Sequence, residues 1–392
     1  MDIESAFRTI PIVPEQWKYL VVRRDDSFWI DKCLPFGVVP ATGIHGRTVD
    51  ALKAILKWHG LDEMFKWVDD MVLLIVPVTT LTGSHFRFRD LSLIDNIAHI
   101  LGIPLHPDKR QEFSNSVTYV GFHWIIDEKR VEIPAEKKTK YLKKLDSFLA
   151  LVSAGPVALK DVQSIHGSLM HCTFVVRDGR SRLIRIQRFM CKFAQSHKTQ
   201  RLHFPRSSLA DLDWWITVLK SPSVTRSLVP LRRDDSLELW VDASSGWGIG
   251  IVFMNDGVRC YDAWAGKSGW LSEGRNIGWA EMIGLELCAY TLIEFGISDV
   301  KAVVRGDNQG SIAALNNLSS RNLDSNSSIQ RITAACATFS ILIDPIYVNT
   351  KVNLADGPSR GVPDPSFVHH SLSFDLPTAL LPFLEHIPVS VA

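Results

Sequence analysis

Four carboxylates in the last part of this 392-residue chain sit where a metal site could be built. Asp242 closes the alternating stretch Leu-Glu-Leu-Trp-Val-Asp-Ala-Ser at 237–244, and Glu281 opens a helix-like run at 279–295. Asp307 follows a strand-like run at 300–305, and Asp356 lies within Asn-Leu-Ala-Asp-Gly-Pro-Ser-Arg at 353–360. Carboxylate oxygens that converge have one ready use, the binding of two hard divalent cations such as magnesium or manganese. A second candidate is the pair Asp69-Asp70, flanked on both sides by apolar strand formers, because adjacent carboxylates are costly to bury without a cation between them. A third feature is basic. Arg177, Arg180, Arg182, Arg185 and Arg188 follow one another closely enough to give a polyanion a run of phosphate contacts.

Each of these groups needs an element to hold it. At 237–241 the apolar residues Leu237, Leu239 and Val241 alternate with Glu238 and Trp240, the period of a strand, which places Asp242 at a strand end. A turn at 244–246 and a second strand at 247–253 make a hairpin. From Glu281, the residues Leu285, Cys288 and Leu292 follow at i+4, i+7 and i+11, so Glu281 heads the stripe of a helix that faces a sheet. A helix is predicted over 308–318 after Asp307. In the first third, strands are predicted at 19–22 and 27–33, a helix at 42–58, a hairpin turning at Asp69-Asp70, and an amphipathic helix at 91–101. Helices are predicted at 135–152 and 159–172 in the middle, and the stretch 211–219, where Trp214 and Trp215 read as core, closes that region. The Gly-Trp-Gly-Ile-Gly run at 246–250 lies in a strand pattern without a following Lys-Ser/Thr, so it is no phosphate loop.

The acids Asp242, Glu281, Asp307 and Asp356 resemble, in order and approximate spacing over 235–362, the catalytic set of the ribonuclease H family, and the 353–360 stretch resembles the version carried by retroelements. The resemblance implies that these four hold two magnesium ions and that the chain cleaves the RNA strand of RNA·DNA hybrids. Residues 2–126 resemble the palm of retroelement reverse transcriptases. Asp2 with Phe7 matches that family's first motif, Leu-Pro-Phe-Gly at 34–37 its second, Trp-Val-Asp-Asp at 67–70 its third, Gly-Ile-Pro-Leu-His-Pro-Asp-Lys at 102–109 its fourth, and Tyr-Val-Gly-Phe-His-Trp at 119–124 its primer-gripping hairpin. The family usually has Tyr or Phe at the position of Trp67. By this resemblance Asp2, Asp69 and Asp70 would hold catalytic magnesium, Phe7 would crowd the sugar 2′ position, and Lys109 would protonate the leaving pyrophosphate. The family's fingers precede its first motif and have no counterpart before Asp2. The chain is therefore expected to be part of a longer retroelement polyprotein, with polymerase activity on a template-primer only if fingers come from elsewhere. An inactive nucleic-acid-binding remnant is the remaining alternative.

The net charge of +1 hides an asymmetry: residues 1–128 carry a net −4, residues 129–233 a net +14 and residues 234–392 a net −9. The +14 segment is the expected source of hybrid affinity. Cellular ribonucleases H grip the hybrid with a basic protrusion, whereas 318–328 holds Arg321 alone among basic residues; no His occurs from 308 to 355, where those enzymes use one in turnover. An apolar content of 46% argues for real cores. Six cysteines without a CxxC pair suggest neither a zinc knuckle nor a disulfide framework, and fit an intracellular site, cytoplasm or nucleus. No secretory signal opens the chain. The longest apolar run, 71–78, is far short of the roughly 20 residues that span a bilayer, so no membrane partner is expected. The architecture expected is α/β: an α+β palm fragment at 1–133, a basic helical connection at 134–234, a ribonuclease H-like mixed five-stranded sheet with helices on both faces at 235–362, and a linker-like tail at 363–392.

Overall fold

The computed structural model describes the chain apart from residues 62, 76, 81–82, 87–91, 195–198, 223 and 389–392. It is an α/β structure that divides into two units, Met1–Lys129 and Arg130–Ala392. Leu91, at the start of an expected helix, and part of the apolar run 71–78 lie outside the described residues.

In the first unit, β1 (Val21–Arg24) and β2 (Ser27–Ile30) form a hairpin, followed by α1 (Ala41–Trp58). The helix buries His45, Val49, Leu52 and Leu56, a stripe at helical spacing. Strands β3 (Met64–Trp67) and β4 (Asp70–Leu73) pair with Trp67 opposite Asp70, so the expected hairpin is present but turns at Val68-Asp69, one residue before the predicted Asp69-Asp70, and Asp70 opens the second strand. Val68 takes φ 56°, a left-handed conformation that is unfavourable for a β-branched residue and marks a strained turn beside the paired acids. A further hairpin, β5 (Pro77–Thr80) and β6 (Gly83–Phe86), precedes α2 (Ser92–Ile100). Ile94 and Ile97 of α2 share a core with Ile3, the α1 stripe, Met64 and Met71. The hairpin of β7 (Ser116–Tyr119) and β8 (Phe122–Ile125) completes this unit.

The second unit opens with β9 (Arg130–Glu132), α3 (Ala135–Ala154), β10 (Val157–Ala158) and α4 (Leu159–Cys172). A 3-10 turn at Arg177–Leu183 leads into α5 (Ile184–Met190), and β11 (Arg201–Leu202), α6 (Leu209–Lys220) and β12 (Thr225–Ser227) follow. Trp215 is fully buried and packs on Gly179, where an added Cβ would meet its ring at 2.3 Å; Trp214 stays half-buried.

A single sheet then organises the rest, in the order β17 (Leu342–Tyr347), β16 (Val300–Gly306), β13 (Arg232–Ala243), β14 (Gly248–Asn255) and β15 (Val258–Gly266). The first three run parallel and the last three antiparallel, because hairpins join β13 to β15 while helices cross between β15, β16 and β17. These are the five mixed strands of the expectation. Residues 363–388 depart from the expected linker: β18 (Val368–His369) and β19 (Leu384–His386) both pair with β15, and Leu372, Leu380 and Leu384 are buried in the sheet's core. The reason is that β15 would otherwise be an open edge, and Asp262 on it draws the tail in by accepting from the Leu372 N–H at 2.9 Å and from His386 Nε2 at 2.8 Å.

Helix α7 (Ile277–Glu294) lies on one face. It buries 13 of its 18 residues, more than the stripe predicted, because α9 (Leu323–Thr338) covers the side turned away from the sheet. Between these helices Glu286 is fully buried and accepts from Arg331 Nε at 2.5 Å and Nη2 at 2.8 Å, from Tyr290 at 2.7 Å and from Ser328. Helix α8 (Gln309–Asn316) follows β16, and the single-turn α10 (Asp356–Ser359) packs on the opposite face of the sheet, over Gly250. Helix α9 also holds the helical segment in place, since Asn326 Nδ2 donates to Ser181 O at 2.8 Å and Gln330 Nε2 to the same oxygen at 3.1 Å. No helix among the described residues is long and apolar enough to cross a membrane.

Candidate active site

Asp242 is the penultimate residue of β13, Glu281 stands in the second turn of α7, and Asp307 joins β16 to α8. Their carboxylates each offer an oxygen within 4.8 Å of the other two. Two glycines make this approach possible. At Gly284, one turn beyond Glu281, a Cβ would meet Val241 Cγ2 at 2.4 Å, so its absence lets α7 lie close against β13. At Gly250, opposite Asp242 in the ladder, a Cβ would meet Ser359 N at 2.4 Å, so its absence lets α10 settle on the sheet.

The site is electrostatically tense. Asp242 is 3% and Glu281 5% exposed, and among the described residues no lysine or arginine forms an ion pair with Asp242, Glu281 or Asp307. Burial pushes the Glu281 carboxyl up to about 9, with Asp242 and Asp307 adding to the effect. Burial also pushes Asp242 up to about 6; its hydrogen bond from Ser359 opposes this, while the charges of Asp307 and Asp356 reinforce it. Such a set of close, partly desolvated anionic oxygens fits hard divalent cations.

Asp356 stands apart from the three. It opens α10 and its Oδ1 accepts from Arg360 Nε at 3.0 Å and Nη2 at 2.9 Å, a pairing one helical turn long, although its charge still reaches Asp242. Around the three acids lie polar groups that pattern reasoning did not single out. Asn353 Nδ2 donates to Val241 O at 3.0 Å and to Asp242 Oδ1 at 3.3 Å, Ser359 donates to Asp242 Oδ2, and Thr350 donates to Asp307 Oδ2 at 2.6 Å. Asn353 and Ser359 lie three residues either side of Asp356, which was the available signal; Thr350 carried none.

In the first unit, Asp2 is buried and pairs with Asp70 in an isolated antiparallel bridge, and the Lys109 ammonium forms an ion pair with Asp2. Asp2, Asp70, Lys109 and Tyr119 line an open cleft of about 930 Å³. The Asp70 carboxyl is raised by burial, then by Asp69 and Asp2, while the hydrogen bond to Asp2 raises Lys109. Asp2, Asp69 and Asp70 do not gather as tightly as the three acids of the second unit. Phe7 does not line the cleft; its ring meets those of Phe36 and His45 edge-on, at 5.0 and 5.2 Å.

The five arginines separate into two groups. Arg182 and Arg185 both turn to the buried Asp211, at 3.4 and 3.0 Å, and Arg182 lies over the Trp214 ring at 5.1 Å. Arg177, Arg180 and Arg188 are exposed.

No protein-family model and no curated protein matches the chain. Among solved structures it is similar to the foamy viral protease-reverse transcriptase in complex with RNA/DNA hybrid, with 13% identity and a TM-score of 0.44 over 96% of this chain and 46% of that one. The chain thus spans less than half of that protein. It is also similar to the foamy viral protease-reverse transcriptase in complex with dsDNA (13% identity, TM-score 0.38, 89% of this chain and 67% of that one). A third is ribonuclease H1 from the halophilic archaeon Halobacterium salinarum (18% identity, TM-score 0.25, 32% of this chain and 94% of that one).

Proposed function

We propose that the second unit is a ribonuclease H-type endonuclease that hydrolyses the RNA strand of RNA·DNA hybrids. The observation that carries this reading is the gathering of Asp242, Glu281 and Asp307 within 4.8 Å on the mixed sheet whose five main strands are β13 to β17. Those three, with Asp356 beside them, would hold two magnesium or manganese ions. Bound there, such ions would supply the Lewis acidity that activates water and steadies the departing 3′ oxygen. The protein's own part is positional. Asn353 and Ser359 fix the rotamer of Asp242, Thr350 fixes Asp307, and the two glycine contacts set how near α7 and α10 come to the sheet. Arg360 holds Asp356 at the rim, where its release would add a fourth anionic ligand. In domain terms the reading assigns 235–362 to the nuclease, with the tail completing its sheet, and 134–234 to a helical connection.

Incubation with labelled RNA·DNA hybrid, single-stranded RNA and primed template tests the proposal. Cleavage of the hybrid's RNA strand is expected, with an absolute need for magnesium or manganese, and Asp307→Asn should abolish it without loss of fold, since an amide is no anionic ligand. Unchanged cleavage by that variant would remove Asp307 from the site. Binding of hybrid with no cleavage would leave the chain as an inactive nucleic-acid-binding remnant.

A second reading belongs to Met1–Lys129, where the cleft bearing Asp2, Asp70 and Lys109 supports the palm of an RNA-directed DNA polymerase. Primer extension in the presence of a fingers segment, lost on Asp70→Asn, would establish it.

A further inference from the structure

We propose that the tail sets the position of Glu281, with Phe383 as the positioning residue. The inference rests on the reading of Glu281 as a metal ligand and gives the tail a task beyond closing the β15 edge. The connector 267–276 joins β15 to α7 and ends on Asn276, whose side chain caps the helix by accepting from the Trp279 N–H at 3.2 Å. Where the connector ends therefore decides where α7 begins, and Glu281 stands in the next turn.

The tail holds this connector at both ends. Gly266 lies opposite Leu384 in the antiparallel ladder of β15 and β19. The ladder runs on into the connector, where the Lys267 N–H donates to Phe383 O at 2.9 Å and Lys267 Nζ to Leu381 O at 2.9 Å. At the other end, the Arg275 guanidinium lies over the Phe383 ring at 4.2 Å, and its Nε donates to Trp270 O at 3.2 Å. Phe383 also meets the helix itself. Its ring stands edge-on to that of the buried Trp279 at 5.6 Å, with the Trp270 ring 6.2 Å from Trp279. Trp279 and Glu281 are two residues apart, about 200° around the helix, so Phe383 presses on the side of this turn opposite the acid. The buried Leu380 and Leu384 hold Phe383 in that place. Without the ring, the space beside Trp279 fills only in part, and the first turn of α7 is free to move toward the tail. A cation over a ring face is also directional, so an aliphatic side chain of similar bulk does not replace Phe383. A displacement of about 1 Å is enough to cost on the order of 100-fold in rate when it reaches a catalytic group.

The test uses the full chain and two readouts: magnesium-dependent cleavage of labelled RNA·DNA hybrid and, without hybrid, calorimetric binding of manganese, with Asp307→Asn as the blank for heat arising elsewhere. Phe383→Leu should lower kcat roughly tenfold or more while KM for hybrid changes less than about twofold, and should weaken manganese binding roughly tenfold. Phe383→Tyr restores a ring and should return both toward wild type. Lys267→Ala, an exposed position, should shift both in the same direction to a smaller extent. Leu372→Ala, buried in the tail but away from the connector, should lower the thermal midpoint and leave kcat and manganese affinity unchanged. Wild-type values in Phe383→Leu, or in Lys267→Ala should Phe383→Leu not fold, would overturn the proposal. So would equal losses in Leu372→Ala, which mark general loosening, or a wild type that binds no manganese. A wild type that binds manganese without cleaving hybrid sinks the nuclease reading, and weaker binding in Phe383→Leu then still upholds the role of Phe383.

Discussion

At the scale of single residues, the balance to weigh is repulsion among Asp242, Glu281 and Asp307 against what relieves it. Glu281, with its carboxyl pushed up to about 9, bears most of the strain, because burial and two neighbouring carboxylates act on it together. Neutralising it should therefore help the metal-free protein. Glu281→Gln is expected to raise the thermal midpoint in EDTA by a few degrees, in line with roughly 1 kcal/mol recovered. The same change should cancel the rise in midpoint that magnesium gives the wild type, since a ligand that binds only the folded state stabilises it by mass action. Paired melting curves with and without magnesium check both halves. A variant that melts lower in EDTA and keeps the full magnesium increment would show that Glu281 is no ligand.

At the scale of elements, the site depends on how close helices can come to the sheet. Gly284→Ala would drive a methyl into Val241 Cγ2, at 2.4 Å in the present geometry, and α7 must lift or β13 must shift to admit it. A cost of about 1–3 kcal/mol is expected from such overpacking. Hybrid cleavage should fall much further than stability, because Glu281 moves with the helix; denaturant unfolding alongside initial cleavage rates would separate the two effects. On the other side of α7, Glu286 and Arg331 tie α7 to α9. Arg331→Met strands a fully buried carboxylate and should cost about 3–5 kcal/mol, whereas Glu286→Leu combined with Arg331→Met should regain much of that. A double variant as unstable as the single one would mean that the pair contributes more than mutual compensation.

At the scale of the whole molecule, the acidic part that bears the large sheet and the basic helical segment are joined by more than the chain. Asn326 and Gln330 of α9 reach Ser181, so cutting at residue 233 removes the partner of two buried amides as well as the +14 charge. Residues 234–392 expressed alone should cleave weakly, and restoring 129–233 should lower the apparent hybrid dissociation constant by at least roughly tenfold, a gain that shrinks with added salt. The shorter piece should also melt lower. Equal binding and cleavage at every salt concentration would assign the basic segment some other task.

What the sequence determined by itself is mostly local. The period of two in 237–241 placed Asp242 at a strand end, the 3.6-residue spacing placed Glu281 on α7, and α4 spans Leu159–Cys172 as its pattern predicts. Those repeats arise within a window of a few residues, so they are legible without the fold. Partnership is different. Tertiary structure alone decided that Arg182 and Arg185 are taken up by Asp211 and that the tail from 363 closes the β15 edge. It also decided that α7 would be buried on nearly every side, since the covering helix α9 lies beyond the reach of any helical period. A charge or a polar atom is satisfied by whichever group the fold brings near, and Gln330 meets Ser181 across 149 positions of chain. No pattern within one segment contains that information, because the partner belongs to another.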